Sequence, residues 1–184
     1  MWPWGHVALG YLLYSLFARQ RHARPPTPAA AIAVGVGTLL PDLIDKPLAW
    51  SMAVLPNGRS LAHSAFALVV LVALAWVLAN RSRQTRLHVP VGAFAIAYGS
   101  HLLGDGLHAL VAGEFDDLAY LLWPVLPPVE YDTTQSFAAH FAQLSLTPSL
   151  GFEFVLTALA LLAWYRDGTP GLSFVRRVAP VRSR

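Results

Sequence analysis

Cysteine is missing from this chain of 184 residues. That excludes disulfides and thiolate metal sites. Charge is scarce too. Asp, Glu, Lys and Arg make up 12% of the chain, whereas a water-soluble domain carries about 25%. There is too little polar surface to coat a soluble globule. Lysine occurs once, as Lys46, and the other cations are arginines, a bias that fits a GC-rich prokaryotic gene. No basic stretch precedes the first apolar run, so that run is expected to be retained rather than cleaved as a signal peptide. No internal repeat or low-complexity tract is evident.

Apolar residues are what the chain has in abundance: 55% of it, with a mean hydropathy of +0.49. They fall into five segments: Trp2 to Ala18, Ala29 to about Leu55, Leu61 to Ala79, Val89 to Ala112, and roughly Leu150 to Tyr165. Each is about long enough to cross ~30 Å of hydrocarbon at ~1.5 Å per residue. Trp2, Trp4, Trp164 and Tyr165 suit interface positions at the ends of the two shortest. The expected fold is all-α: a polytopic membrane bundle of about five transmembrane helices with a long extracytoplasmic connection, Gly113 to Ser149. Residues 1–166 form the membrane domain and 167–184 a basic cytoplasmic tail.

The net charge of +3 raises the question of nucleic acid, and the placement of the cations answers it. Arg19, Arg21 and Arg24 follow the first segment. Arg81, Arg83 and Arg86 follow the third. Arg166, Arg176, Arg177, Arg182 and Arg184 follow the fifth. With five spans these clusters share one side, and the positive-inside rule makes that side cytoplasmic. The N-terminus is then outside and the C-terminus cytoplasmic, in the plasma membrane. The arginines read as topology anchors at lipid headgroups, and no nucleic-acid partner is expected. The outer connection carries Glu114, Asp116, Asp117, Glu130 and Asp132.

On this topology the ionisable residues collect in the outer half. His6 opens the first helix. Asp42 and Asp45 sit late in the second, His63 begins the third, and Glu153 opens the fifth. The fourth carries GSHLLGDGLH, in which His101, Asp105 and His108 are spaced four and three apart on one helical face. A charged residue at the bilayer centre costs roughly 2.5–3.5 kcal/mol on insertion scales, so these carboxylates need partners or water. A divalent cation neutralises several carboxylates and accepts neutral imidazoles at once. Asp and His donors suit Zn²⁺ and, with more oxygens, Mn²⁺ or Fe²⁺. Blander roles exist for several of these residues. Asp45 and Lys46 are candidates for an ion pair, Ser64 is an improbable nucleophile, and Glu153 is a helix N-terminal carboxylate favoured by the dipole. His108 and His140 stay undecided between site and surface.

Four ordered motifs carry a resemblance: GTLLPDLIDK, GRSLAHS, GSHLLGD and LLWP. Over about residues 1 to 165 the chain resembles a family of membrane-bound metal-dependent hydrolases known by the YdjM name. It is more loosely similar to zinc-dependent phospholipase C. The family resemblance implies a polytopic helical membrane protein with a metal site. By it, Asp42 matches the Asp after the motif proline, His63 the His of the His-Ser motif, His101 and Asp105 the His-x-x-x-Asp pair, and His6 an N-terminal His. Two departures stand out. The second carboxylate, Asp45, comes one place later than in the Asp-x-Asp-His of many members and is followed by Lys46. Gly58 stands where many carry a His before Arg59.

Together these features predict an integral membrane metal-dependent hydrolase with its site near the outer leaflet. Asp42, His63, His101 and Asp105 are expected to bind a divalent ion, Zn²⁺ first and Mn²⁺ or Fe²⁺ next, with His6 a fifth ligand. Asp45 is expected to take a proton from water or to orient a ligand histidine, and Arg59 to hold a phosphate or anionic headgroup. The expected partners are membrane lipids, and the expected substrate is a phosphoester or ester of a lipid or lipid-linked molecule. Two other classes compete: a scaffold or regulatory protein with a structural ion, and a metal-ion or proton transporter. A transport pathway needs polar residues in the inner half of the bundle, where helices three to five have almost none.

Overall fold

The computed structural model describes residues 1–82, 88–129 and 136–172. Arg83, Arg86, Glu130, Asp132, Arg176, Arg177, Arg182 and Arg184 lie outside them. The described residues are helical with no strand: α1 (Pro3–His22), α2 (Pro28–Trp50), α3 (Ala65–Arg81), α4 (His88–Ala112), a 3₁₀ helix (Phe115–Leu122), α5 (Phe137–Ala142) and α6 (Pro148–Arg166). The five apolar segments thus become the five longest helices.

Local chemistry explains the helix starts. Prolines open the first turns of α1, α2 and α6, where a missing N–H costs nothing. The side chains of Thr27, Ser64, Ser136 and Thr147 cap α2, α3, α5 and α6 by accepting a backbone N–H three residues on. Ser64 therefore serves as the α3 cap, and its hydroxyl also donates to the Leu61 carbonyl. The second helix stops at Trp50, short of Leu55, because the N–H groups of Ser51 and Met52 both turn back to the Pro47 carbonyl.

Helix α4 is the centre of the bundle. It packs most extensively on α2 and also touches α1, α3 and the 3₁₀ helix, while α6 packs on α1. Small residues set these contacts. Ala30, Ala93 and Ala97 are fully buried, and a Cβ on Gly37 would come within 2.8 Å of the Phe94 carbonyl oxygen. Such residues let backbones approach closely, the usual basis of helix association in lipid.

The outward face is apolar. Val69 and Val70 on α3 and Val155 and Leu161 on α6 are about 60% exposed. Water would penalise such a surface and hydrocarbon would not. By length and composition α2 and α6 can cross a membrane, and α3 is apolar but shorter, so the fold is a membrane helical bundle.

The bundle has two distinct ends. The start of α1, the ends of α2 and α4 and the start of α6 meet at one of them. At the other, Asp167 accepts hydrogen bonds from Tyr11 (2.8 Å) and Ser15 (2.6 Å) and pairs with Arg19. Its side chain is fully buried. The residues just after α6, grouped with the basic tail in the sequence reading, therefore begin with an anchor to α1.

Candidate metal centre

The first end is built around Asp45, which lies on α2 and is completely buried. Its carboxylate accepts the backbone N–H groups of Ser60 (2.9 Å), Ala62 (2.8 Å) and His63 (3.1 Å). It also accepts Nδ1–H of His63 at 2.8 Å. One carboxylate thus folds the loop before α3 and fixes the orientation of the His63 ring. Asn57 steadies the loop from the other side, donating to the Val129 carbonyl and accepting the Arg59 N–H, both at 2.8 Å.

His101 is fixed in the same way from a different source. Its Nδ1 lies 2.7 Å from the Thr38 carbonyl oxygen, which can only accept. Pro41, inside α2, removes the N–H that would have met the Gly37 carbonyl and crowds that turn. With both Nδ1 atoms acting as donors, both Nε2 atoms carry lone pairs in the neutral rings. They face each other at 3.1 Å. Two lone pairs at that distance repel unless a proton or a metal ion lies between them.

Two carboxylates close on the same point. Asp42 Oδ1 is 3.4 Å from His63 Nε2 and 3.8 Å from His101 Nε2. Asp105 Oδ2 is 3.5 Å and 3.8 Å from the same atoms. One ligand atom from each of the four residues lies within 4.8 Å of all the others. A tetrahedral ion with bonds of about 2.0–2.1 Å holds its donors roughly 3.3 Å apart, so the set fits a small divalent cation with modest closure. Asp42 Oδ1 is buried with no hydrogen-bond partner among the described residues, an otherwise costly state for a carboxylate oxygen. The point demands positive charge, and the group can hold a metal ion.

Each of the four donors is tied on its far side. Asp45 holds His63, Thr38 holds His101, and Lys46 Nζ donates to Asp42 Oδ2 at 2.6 Å. On Asp105, the far oxygen Oδ1 accepts the Met1 ammonium at 3.0 Å, with His6 Nε2 3.1 Å away. Such outer contacts fix ligand orientation and are typical of metal centres.

The structure separates the remaining candidates. His6 stands beside the four-donor group: its ring stacks on His101 at 3.8 Å, and its Nε2 faces the Asp105 oxygen turned away from the group. Lys46 pairs with Asp42, four residues back, and not with its neighbour Asp45. Adjacent residues on a helix point about 100° apart, whereas i and i+4 share a face. Arg59 places Nε 3.0 Å from Asp105 Oδ2 with its side chain one-third exposed. Glu153 caps the start of α1 rather than its own helix, accepting the Trp2 N–H at 3.0 Å. His108 is exposed, and His140 packs between Trp2 and Trp50 at ring distances of 4.7 and 5.5 Å.

Other contributors have no signature in the sequence. The Thr38 carbonyl is a backbone atom. Tyr120, on the 3₁₀ helix, is buried with its ring edge-on to His63 at 6.3 Å, and it covers the group. The glycines around Asp105 were the available clue. A Cβ on Gly104 would lie 3.3 Å from His6 Nδ1, and one on Gly106 would lie 3.0 Å from the Tyr120 hydroxyl. Those two positions admit the neighbours that pack on either side of Asp105.

A family model for YdjM inner membrane proteins matches residues 1–174. The chain belongs to that family. The YdjM match takes in every helix described above and the turn that carries Asp167. It agrees with the apolar outer surface in placing the chain in a membrane, for bacteria the inner one. No curated protein and no solved structure matches the chain.

Proposed function

We propose that this YdjM-family protein is a metal-dependent hydrolase acting on a phosphoester of a lipid or lipid-linked substrate. The supporting observation is that four buried donors from α2, α4 and the loop before α3 converge on one point, each held from behind. On this reading Asp42, His63, His101 and Asp105 hold the ion, Zn²⁺ in first place. A divalent cation there supplies Lewis acidity, which lowers the pKa of water and polarises an ester oxygen. The remaining work falls to the chain. Asp45 keeps His63 Nε2 available as a donor. With both its oxygens already accepting N–H groups, orientation is a better role for it than proton abstraction. Arg59, already at the group through Asp105, brings a guanidinium charge beside the position a phosphate would take. Tyr120 and the buried loop exclude bulk water.

The same reading makes the five long helices five spans, with the site end outward and the Arg19 and Arg166 end cytoplasmic. The absence of native cysteine allows a direct check. A single cysteine at Ser136 is expected to react with a membrane-impermeant maleimide added to whole spheroplasts. Labelling only after lysis contradicts the orientation.

For the activity, the detergent-purified protein is expected to cleave phosphoester substrates at a rate that falls at least about 100-fold on chelation and returns with Zn²⁺ or Mn²⁺. Asp105→Asn is expected to show the same loss with no recovery. Phosphoester cleavage that survives both chelation and Asp105→Asn contradicts the proposal. So does inactivity of the fully metal-loaded protein on phosphomonoesters, phosphodiesters and phospholipids alike.

A further inference from the structure

A cavity of about 830 Å³ opens beside Asp105 at the site end of the bundle. It has three different walls. Its floor carries Lys46 and Arg59, each standing on one carboxylate of the four-donor group. One side is aromatic, with His140 in ring contact with both Trp2 and Trp50. The rim, from the connection between α4 and α6 and the first turn of α6, carries Gln143, Ser145 and Ser149. The edge between α4 and α6 is apolar, with Val111 82% and Phe152 53% exposed.

We infer that this cavity binds the headgroup of a phosphate ester whose alcohol is an uncharged polyol or sugar. The inference rests on the hydrolase reading for the position of the reacting phosphate. Three observations carry it. First, the cations beside the donor group favour an anion there. Lys46, Arg59 and the Met1 ammonium each pair with a carboxylate of the donor group at the cavity, and a bound dication relieves them of part of that carboxylate charge; Glu153 and Asp117 also line the cavity, with Glu153 accepting the Trp2 N–H.

Second, the Trp50 face of the aromatic wall disfavours an ammonium headgroup. Lys46 Nζ already lies 5.6 Å from the centre of the Trp50 ring, so a choline or ethanolamine cation would meet like charge at the face it prefers. A neutral ring or polyol suffers no such repulsion and stacks its C–H face on the indoles. Third, hydrogen-bonding capacity is waiting. His140 Nε2 is buried in the cavity wall without a partner among the described residues, and the rim adds amide and hydroxyl groups. An apolar edge with exposed Val111 and Phe152 gives an attached chain a way out to lipid.

The test is calorimetric binding to the full-length protein in detergent, with glycerol 3-phosphate, phosphocholine and inorganic phosphate as probes. Glycerol 3-phosphate is expected to bind at least about tenfold more tightly than phosphocholine. His140→Ala is expected to shrink that preference to about twofold or less while leaving inorganic phosphate unchanged. Equal binding of the two esters, or a preference for phosphocholine, overturns the inference, as does an undiminished preference in His140→Ala. A second arm uses protein in phosphatidylcholine vesicles with and without phosphatidylglycerol. If phosphatidylglycerol displaces glycerol 3-phosphate, the ligand is a lipid headgroup; if it does not, the ligand is the free ester. Discrimination without hydrolysis by the metal-loaded protein sinks the hydrolase reading alone. Hydrolysis without discrimination sinks this inference alone.

Discussion

Asp45→Asn is expected to weaken divalent-metal binding by about 10- to 100-fold while the helices stay folded. The carboxylate takes four N–H donors from the loop before α3 and the His63 ring. An amide has the same shape but one accepting oxygen, and its NH₂ group opposes donors already in place. If the amide oxygen turns to the backbone, His63 loses its Nδ1 acceptor and shifts its proton to Nε2, closing the lone pair aimed at the ion. If it turns to His63, the N–H groups of the loop are orphaned at about 1–3 kcal/mol. Asp45→Ala removes all four partners and is expected to disorder the loop outright. Competition with a metal chelator and thermal unfolding in detergent separate the two effects. Unchanged metal affinity in Asp45→Asn contradicts the role given to Asp45.

Gly10→Leu is the second substitution expected to have a large effect. Gly10 faces the seam of α1, α2 and α4. Even a Cβ there would overlap Thr38 Cγ2 and lie 3.0 Å from Ser100 Oγ. Neither neighbour can retreat, because both are buried in their own helices and Thr38 Oγ1 is bonded to the Val34 carbonyl at 2.9 Å. Overpacking of this kind costs on the order of 3 kcal/mol. Thr38 also supplies the carbonyl that holds His101, so metal binding is expected to fall together with the melting temperature. Gly99→Ala is the control. It lies on the central helix α4 with open space around its Cβ, and it is expected to be neutral or stabilising by up to about 1 kcal/mol. A Gly10→Leu protein that melts and binds metal like the control contradicts this packing.

The helices were legible because apolar runs and capping residues are local signals. The runs at Leu61–Ala79 and Val89–Ala112 became α3 and α4 with boundaries moved by a few residues. Asp42, His63, His101 and Asp105 were legible for an energetic reason: carboxylates and imidazoles in apolar segments need a partner, and one ion serves all four. The pairing of Lys46 with Asp42 was readable from helix geometry, since four residues separate them. The roles of the Thr38 carbonyl, Tyr120 and Asp167 were not. Each depends on which distant element the fold brings alongside, and a backbone oxygen has no residue type to betray it. Asp45 lay between these cases. Its cost was visible, but its donors are backbone N–H groups fifteen or more residues away.

Metal content decides most directly whether the four donors form a metal centre. Protein purified in detergent, supplied with Zn²⁺ and freed of excess ion is expected to retain about one ion per chain by elemental mass spectrometry. Asp42→Asn and His101→Ala are each expected to bring that close to zero, while Gln143→Ala, at the cavity rim, keeps it. A folded wild-type protein that retains no ion, or variants that retain as much as wild type, would contradict the metal centre.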